Sequence, residues 1–172
     1  LMPIVANVRR MFDLDATPTD ISETLAQSPL FCQLDERFPG TRAPGHWSLF
    51  ECCVRGVVGQ QISVAAARGV QAKLLMFCAD EGEEDPGFPT PQQLLALPDE
   101  QLPMPNSRKQ TLRSVCEVFA NTEEPDDVDV SQLEELKGIG PWTVAMIKMR
   151  GSGDPDVFPR KDLGLVQGAA KL

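Results

Sequence analysis

Apolar side chains recur every three or four positions along most of this chain, and no stretch of any length alternates apolar and polar residues with a period of two. Val5, Val8, Met11 and Phe12 predict a first helix. Pro18-Thr19-Asp20 opens a second, with Ile21, Thr24 and Leu25 facing inward. A third runs from about His46 to Val58; Gly59 and the polar pair Gln60-Gln61 interrupt it, and a longer helix continues from about Ile62 to Cys78. Residues 79–89 are acidic, carry Gly and Pro, and read as a loop. Pro91 starts a short helix through Leu97, and Ser107 is placed to cap another that reaches about Ala120. A second acidic loop precedes a pair of helices joined at Gly138-Ile139-Gly140. From Gly151 to Lys161 the chain is irregular, and a terminal helix begins near Asp162. The expected fold class is all-α.

The run from Leu133 to Ala145, Leu-Glu-Glu-Leu-Lys-Gly-Ile-Gly-Pro-Trp-Thr-Val-Ala, predicts a short helix, a tight hairpin and a second helix opening at Pro141. Two glycines around Ile139 let the backbone turn with φ > 0 where needed, and Ile139 is placed to plug the space between the helices. Proline suits the first helical turn because its missing N–H would be unpaired there anyway. The N–H groups at that helix start form a ready phosphate site. By itself such a Gly motif also fits an ordinary turn between helices.

Three further segments place the hairpin in context: Arg9-Arg10-Met11-Phe12-Asp13-Leu14-Asp15, the stretch from Phe50 to Ala67 containing Gly59-Gln60-Gln61-Ile62-Ser63, and Asp156-Val157-Phe158-Pro159 followed by Asp162-Leu163-Gly164. With the hairpin, and with Asp162 twenty residues beyond Trp142, this order resembles the helix-hairpin-helix DNA glycosylases over nearly the whole chain. It is most similar to the alkylation-repair branch, 3-methyladenine DNA glycosylase II. The resemblance implies one glycosylase domain over residues 1–172, two helical lobes around a cleft. It also implies truncation at both ends, since relatives usually carry a β-rich domain before this point and further helices after it.

Composition limits the reading without overturning it. The 172 residues are 42% hydrophobic, enough for one sizeable core, with no run approaching a membrane span. Five cysteines, Cys32, Cys52, Cys53, Cys78 and Cys116, form no disulfide-framework spacing and no four-cysteine iron–sulfur set. The net charge of −9 is opposite to the basic footprint expected of a DNA binder. Much of the acid lies in two connectors, Asp80 to Asp85 and Glu123 to Asp129. Arg108, Lys109, Arg113, Lys137, Lys148, Arg150, Arg160 and Lys171 fall in or near the expected DNA-facing regions. Backbone N–H groups are therefore expected to carry much of the phosphate binding.

Breaking an N-glycosidic bond builds positive charge on the sugar, and a nearby carboxylate stabilises it or activates water. The resemblance assigns that role to Asp162; read alone, the residue is first a helix cap, and a cap bond would also fix its carboxylate. Relatives that also cut the strand use a lysine amine where Trp142 stands, so a monofunctional enzyme is implied. Trp142 is a candidate wall for an electron-poor alkylated base, with Met146 beside it where that branch often has another aromatic. Trp142 as plain core remains the competing reading. Gln61 matches the residue inserted into DNA after the nucleotide is flipped out, and Gln60 reads as an amide bridging the loop backbone. Gly138, Gly140 and Thr143 are the implied phosphate contacts. The carbonyls of Leu136 and Ile139 are the implied seat of a monovalent cation, Na+ or K+. Lys137 reads as a phosphate contact and Lys148 as a solvated helix residue. His46 lacks ligand partners at metal spacing, and no Gly-rich nucleotide loop is present.

The implied partner is double-stranded DNA containing a damaged base, bound by a monomer away from membranes, in the cytoplasm of a bacterium or the nucleus of a eukaryote. The implied reaction is hydrolytic release of alkylated purines such as 3-methyladenine. Two other readings stay open: a noncatalytic helix-hairpin-helix DNA-binding module, and a glycosylase for oxidised bases, which Trp142 in the lysine position disfavours.

Overall fold

The computed structural model describes residues 1–80, 82, 86–123, 128–160 and 162–171. The acidic connectors at 80–85 and 123–129 lie largely outside the described residues. Ten α-helices are described: α1 (Met2–Met11), α2 (Pro18–Leu25), α3 (Pro29–Arg37), α4 (Leu49–Gly59), α5 (Val64–Cys78), α6 (Pro91–Ala96), α7 (Asn106–Ala120), α8 (Val130–Leu133), α9 (Pro141–Ile147) and α10 (Leu163–Ala169). A 3-10 turn at Asp99–Gln101 follows α6, and α9 runs into a π-helical turn at Lys148–Ser152. No strand occurs among the described residues, so the all-α expectation holds. No helix among them is long and apolar enough to cross a membrane.

α4 is the centre of the molecule. Leu49, Phe50, Cys52, Cys53, Val54, Val57 and Val58 are all buried, so nearly every face of this helix is apolar. It is covered by α5, α7, α9 and the π-helical turn. The Phe50 ring lies 5.1 Å from Phe119 of α7 and 6.2 Å from Phe88, joining three segments of the core. Local capping fixes where helices begin. Ser48 and Ser63 accept hydrogen bonds from the N–H groups of Glu51 and Ala66 at the starts of α4 and α5. Thr90 and Gln93 cap each other at α6.

Three expectations change. α7 begins one residue before Ser107, after Pro105, and the Ser107 carbonyl instead accepts from the Thr111 hydroxyl. α3 was not legible from periodicity, although Ser28-Pro29 is a proper helix opening. Ile21 and Thr24 are exposed, because α2 packs on α3 and supplies no fully buried residue.

Candidate active site

The hairpin is built as a stack of short-range bonds. Leu136 N–H donates to the Leu133 carbonyl and Ile139 N–H to the Leu136 carbonyl, which turns the chain between α8 and α9. Ile139 is buried in the turn, as its apolar character between two glycines requires. Gly138 has φ +94°, and a Cβ there would collide with the Thr111 hydroxyl. Gly140 is different: its φ is −97° and the space beside it is open. The expectation of positive φ therefore applies to Gly138, while Gly140 leaves an uncovered approach to the start of α9.

Two side chains from other helices fasten this turn. The buried Thr111 of α7 shares its one hydroxyl proton between the Lys137 carbonyl at 2.9 Å and the Ser107 carbonyl at 3.1 Å. The Gln60 amide donates to the Gly138 carbonyl at 2.8 Å and approaches the Thr143 hydroxyl at 3.3 Å. The α4–α5 junction and the hairpin are thus one unit. Next to that clamp, Gln61 is exposed and takes φ +56°, a backbone conformation unusual for a side chain of this size. The break that carries it is strained and points to solvent beside the hairpin.

At the start of α9 the first helical bond runs from Val144 N–H to the Gly140 carbonyl. The N–H groups of Trp142 and Thr143 precede it. The Thr143 side chain is buried and turned inward, so only its backbone is available to a phosphate. Of the hairpin carbonyls, Lys137 and Gly138 already accept side-chain bonds and Leu136 accepts one backbone bond. Leu136 keeps a second lone pair.

Asp162 caps α10. One carboxylate oxygen accepts from Leu165 N–H at 3.0 Å, and the other accepts from Trp142 Nε1–H at 2.9 Å. These donors, the Leu165 backbone first and Trp142 second, hold the carboxyl below the usual carboxylate range, so it is ionised at neutral pH. Capping and presentation toward Trp142 are served by the same side chain.

Trp142 and Met146 line a cleft of about 390 Å³ between α4, α5 and α9, with Ile62 and Ala67 on its apolar side. Its polar lining was not anticipated from sequence. Arg55, Arg68, Gln71, His46 and Arg150 all face it. Arg55 is tied to Glu51 at 2.7 Å and to Gln71 at 2.5 Å, and Arg150 donates to the Pro44 carbonyl at 2.9 Å. Burial first, then Arg150, pushes the His46 imidazole below its usual pKa. Cys52 also borders the cleft, and burial raises its thiol to about 12, which keeps it protonated. A sequence signal for part of this lining did exist: Glu51 and Arg55 sit at i,i+4 on one helix face.

Several cations expected near DNA have structural work instead. Arg113 holds the carbonyls of Leu95 and Leu97 and the Asp99 carboxylate, and Lys109 holds the Asp99 carbonyl. Lys148 lies 3.6 Å from Glu134, so it is paired across the hairpin rather than simply solvated.

Comparison with known proteins gives this geometry a context. A family profile described as the AlkA N-terminal domain matches residues 1–48. The chain is 35% identical to a Mycobacterium tuberculosis protein named probable bifunctional transcriptional activator/DNA repair enzyme AlkA, covering 100% of this chain and 37% of that protein. It is 31% identical to DNA-3-methyladenine glycosylase 2 of Escherichia coli K12, over 90% of this chain and 57% of the relative. The chain thus spans between about a third and three fifths of the length of these relatives. In three dimensions it matches 3-methyladenine DNA-glycosylase from Archaeoglobus fulgidus with a TM-score of 0.81 and 23% identity, covering 98% of this chain and 62% of that one.

Proposed function

Since the chain is a relative of the helix-hairpin-helix DNA glycosylases, most like 3-methyladenine DNA glycosylase II, we propose that it is a monofunctional DNA glycosylase for alkylated purines, the class in which its relatives' names place 3-methyladenine. The observation that carries this reading is the 2.9 Å bond from Trp142 Nε1–H to Asp162, which ties an ionised carboxylate to the aromatic wall of a base-sized cleft.

The reaction follows from these parts. Duplex DNA lies across the hairpin, with phosphate on the backbone N–H groups at Gly140 and Thr143 and the turn at Gly138 shaping the approach. A monovalent cation, when bound, would be held by the Leu136 and Ile139 carbonyls and would supply positive charge near the phosphate. The damaged nucleotide rotates out of the stack, and Gln61 fills the space it leaves. The base enters the cleft against Trp142 and Met146. As the C1′–N bond lengthens, Asp162 stabilises the positive charge growing on the sugar. Water then adds to C1′ and an abasic site remains; a cationic ring leaves as the neutral base and the proton of the water passes to solvent, whereas a base departing from a neutral ring takes that proton up. Trp142 offers no amine for a Schiff base, so the strand stays intact.

The test is Asp162→Asn. Asparagine also caps helices well, so α10 is retained while the charge is lost. Single-turnover base release should fall by about 100-fold or more, with duplex affinity little changed. Wild-type excision by this variant would remove Asp162 from the chemistry. A covalent adduct trapped by borohydride on the wild-type protein would overturn the monofunctional assignment.

A further inference from the structure

The bond from the Gln60 amide to the hairpin joins the two parts of the molecule that the proposed mechanism uses to grip and open DNA. Between the end of α4 and the Ser63 cap of α5 the chain runs through residues 60–62. Gln60 is held by its backbone, whose N–H donates to the Val57 carbonyl at 3.3 Å. It is held again by its side chain, whose NH2 group reaches the Gly138 carbonyl at 2.8 Å and the Thr143 hydroxyl at 3.3 Å. On the other side, Ile62 packs against the core and Ser63 accepts from Ala66 N–H. Gln61 stands between these anchored neighbours, exposed, at φ +56°. A left-handed backbone is uphill for glutamine, so this crest persists only while both of its sides are held.

The partner of the amide is equally fixed. Gly138 has φ +94°, and a Cβ there would collide with Thr111 of α7. The preceding carbonyl, of Lys137, accepts from that same Thr111 hydroxyl. The turn therefore cannot yield without moving α7. A carbonyl accepts only from a donor, so the amide has one orientation here, with its NH2 group toward the hairpin. Driving a residue into a base stack pushes back on the loop that carries it, because extruding a paired nucleotide is unfavourable. The hairpin, seated on phosphate, is the part that does not recoil. Gln60 connects the crest to it across 78 residues of sequence.

We propose that Gln60 is a positioning residue for nucleotide extrusion. It holds the Gln61 crest against the phosphate-anchored hairpin, so that gripping the backbone and wedging the stack act as one step. The inference rests on the roles given to Gln61 and the hairpin in the glycosylase reading. Its consequence is selective. Gln60 acts before the base reaches Trp142 and Asp162, so it matters where a base must be pulled from a pair and not where pairing is already absent.

The experiment uses Gln60→Leu, which keeps side-chain bulk and removes the donor. Single-turnover release of 7-methylguanine is measured, with protein saturating, from two duplexes: one with the lesion paired to cytosine, one with it in a one-nucleotide bulge. Each rate is corrected for release without protein. Release should fall about tenfold or more from the paired duplex and less than about threefold from the bulge. Gln61→Ala should show the same selectivity, and the double variant should lose little more than the worse single, because both act on one step. Equal losses from the two duplexes would make the bond a fold contact only, and no loss from either would make it dispensable. Each of these results overturns the inference and leaves the glycosylase reading standing. Wild-type release of the paired base by Gln61→Ala removes the wedge role, and this inference with it. No release above background by the wild-type chain from either duplex overturns the glycosylase reading itself.

Discussion

Asp162 is held by two N–H donors at once, so its position and its charge state are set before any substrate arrives. Gly138 and Gly140 separate two roles that one motif suggests. Gly138→Ala forces a side chain into φ +94° and against Thr111, and should cost about 1–3 kcal/mol of stability. Gly140→Ala meets open space at an ordinary φ, so its stability should stay within about 0.5 kcal/mol of the parent. Its effect should appear instead as weaker binding to damaged and undamaged duplex alike, since phosphate contacts carry no lesion information. Urea denaturation and fluorescence anisotropy on both variants check this. Equal destabilisation by the two substitutions would refute the distinction.

The working element is the hairpin, and other helices hold it in place. Thr111 of α7 and Gln60 at the end of α4 bind the carbonyls of two successive residues in the turn. Thr111→Val keeps the shape and removes the donor, so it should lower stability by about 1 kcal/mol and reduce duplex affinity. Denaturation curves and binding isotherms measured together test it; unchanged affinity in a destabilised variant would show that the bond holds the fold without shaping the DNA-binding turn. Of the elements, α4 and α5 were readable because their apolar residues recur around a helix, whereas α3 was hidden by its exposed apolar positions. α2 shows the matching limit: its apolar side was legible, but periodicity does not say whether a partner helix covers it.

At the scale of the molecule, the net charge of −9 and the structural use of Lys109 and Arg113 leave few cations for DNA. Binding that depends on backbone N–H groups should release few counterions. The slope of log K against log salt should be shallow, on the order of −2 to −3. A titration series from low to physiological salt measures it. A slope of about −6 or steeper would mean that lysines and arginines carry the interface after all.

The helical class, the hairpin and the spacing from Trp142 to Asp162 were all present in the sequence, because each is encoded by neighbours within a few turns or by a single fixed separation. The cleft was not. Arg150 reaches the carbonyl of Pro44, 106 residues away in the chain, and shares one cavity with Arg55, Arg68 and His46. Those distances depend on how α5, α9 and the π-helical turn pack on the apolar α4, which no local periodicity records. The same packing placed the Gln60 amide on the Gly138 carbonyl across 78 residues, and with it the exposed Gln61 beside the hairpin. Local chemistry thus determined which residue types were available, and tertiary packing decided which of them meet.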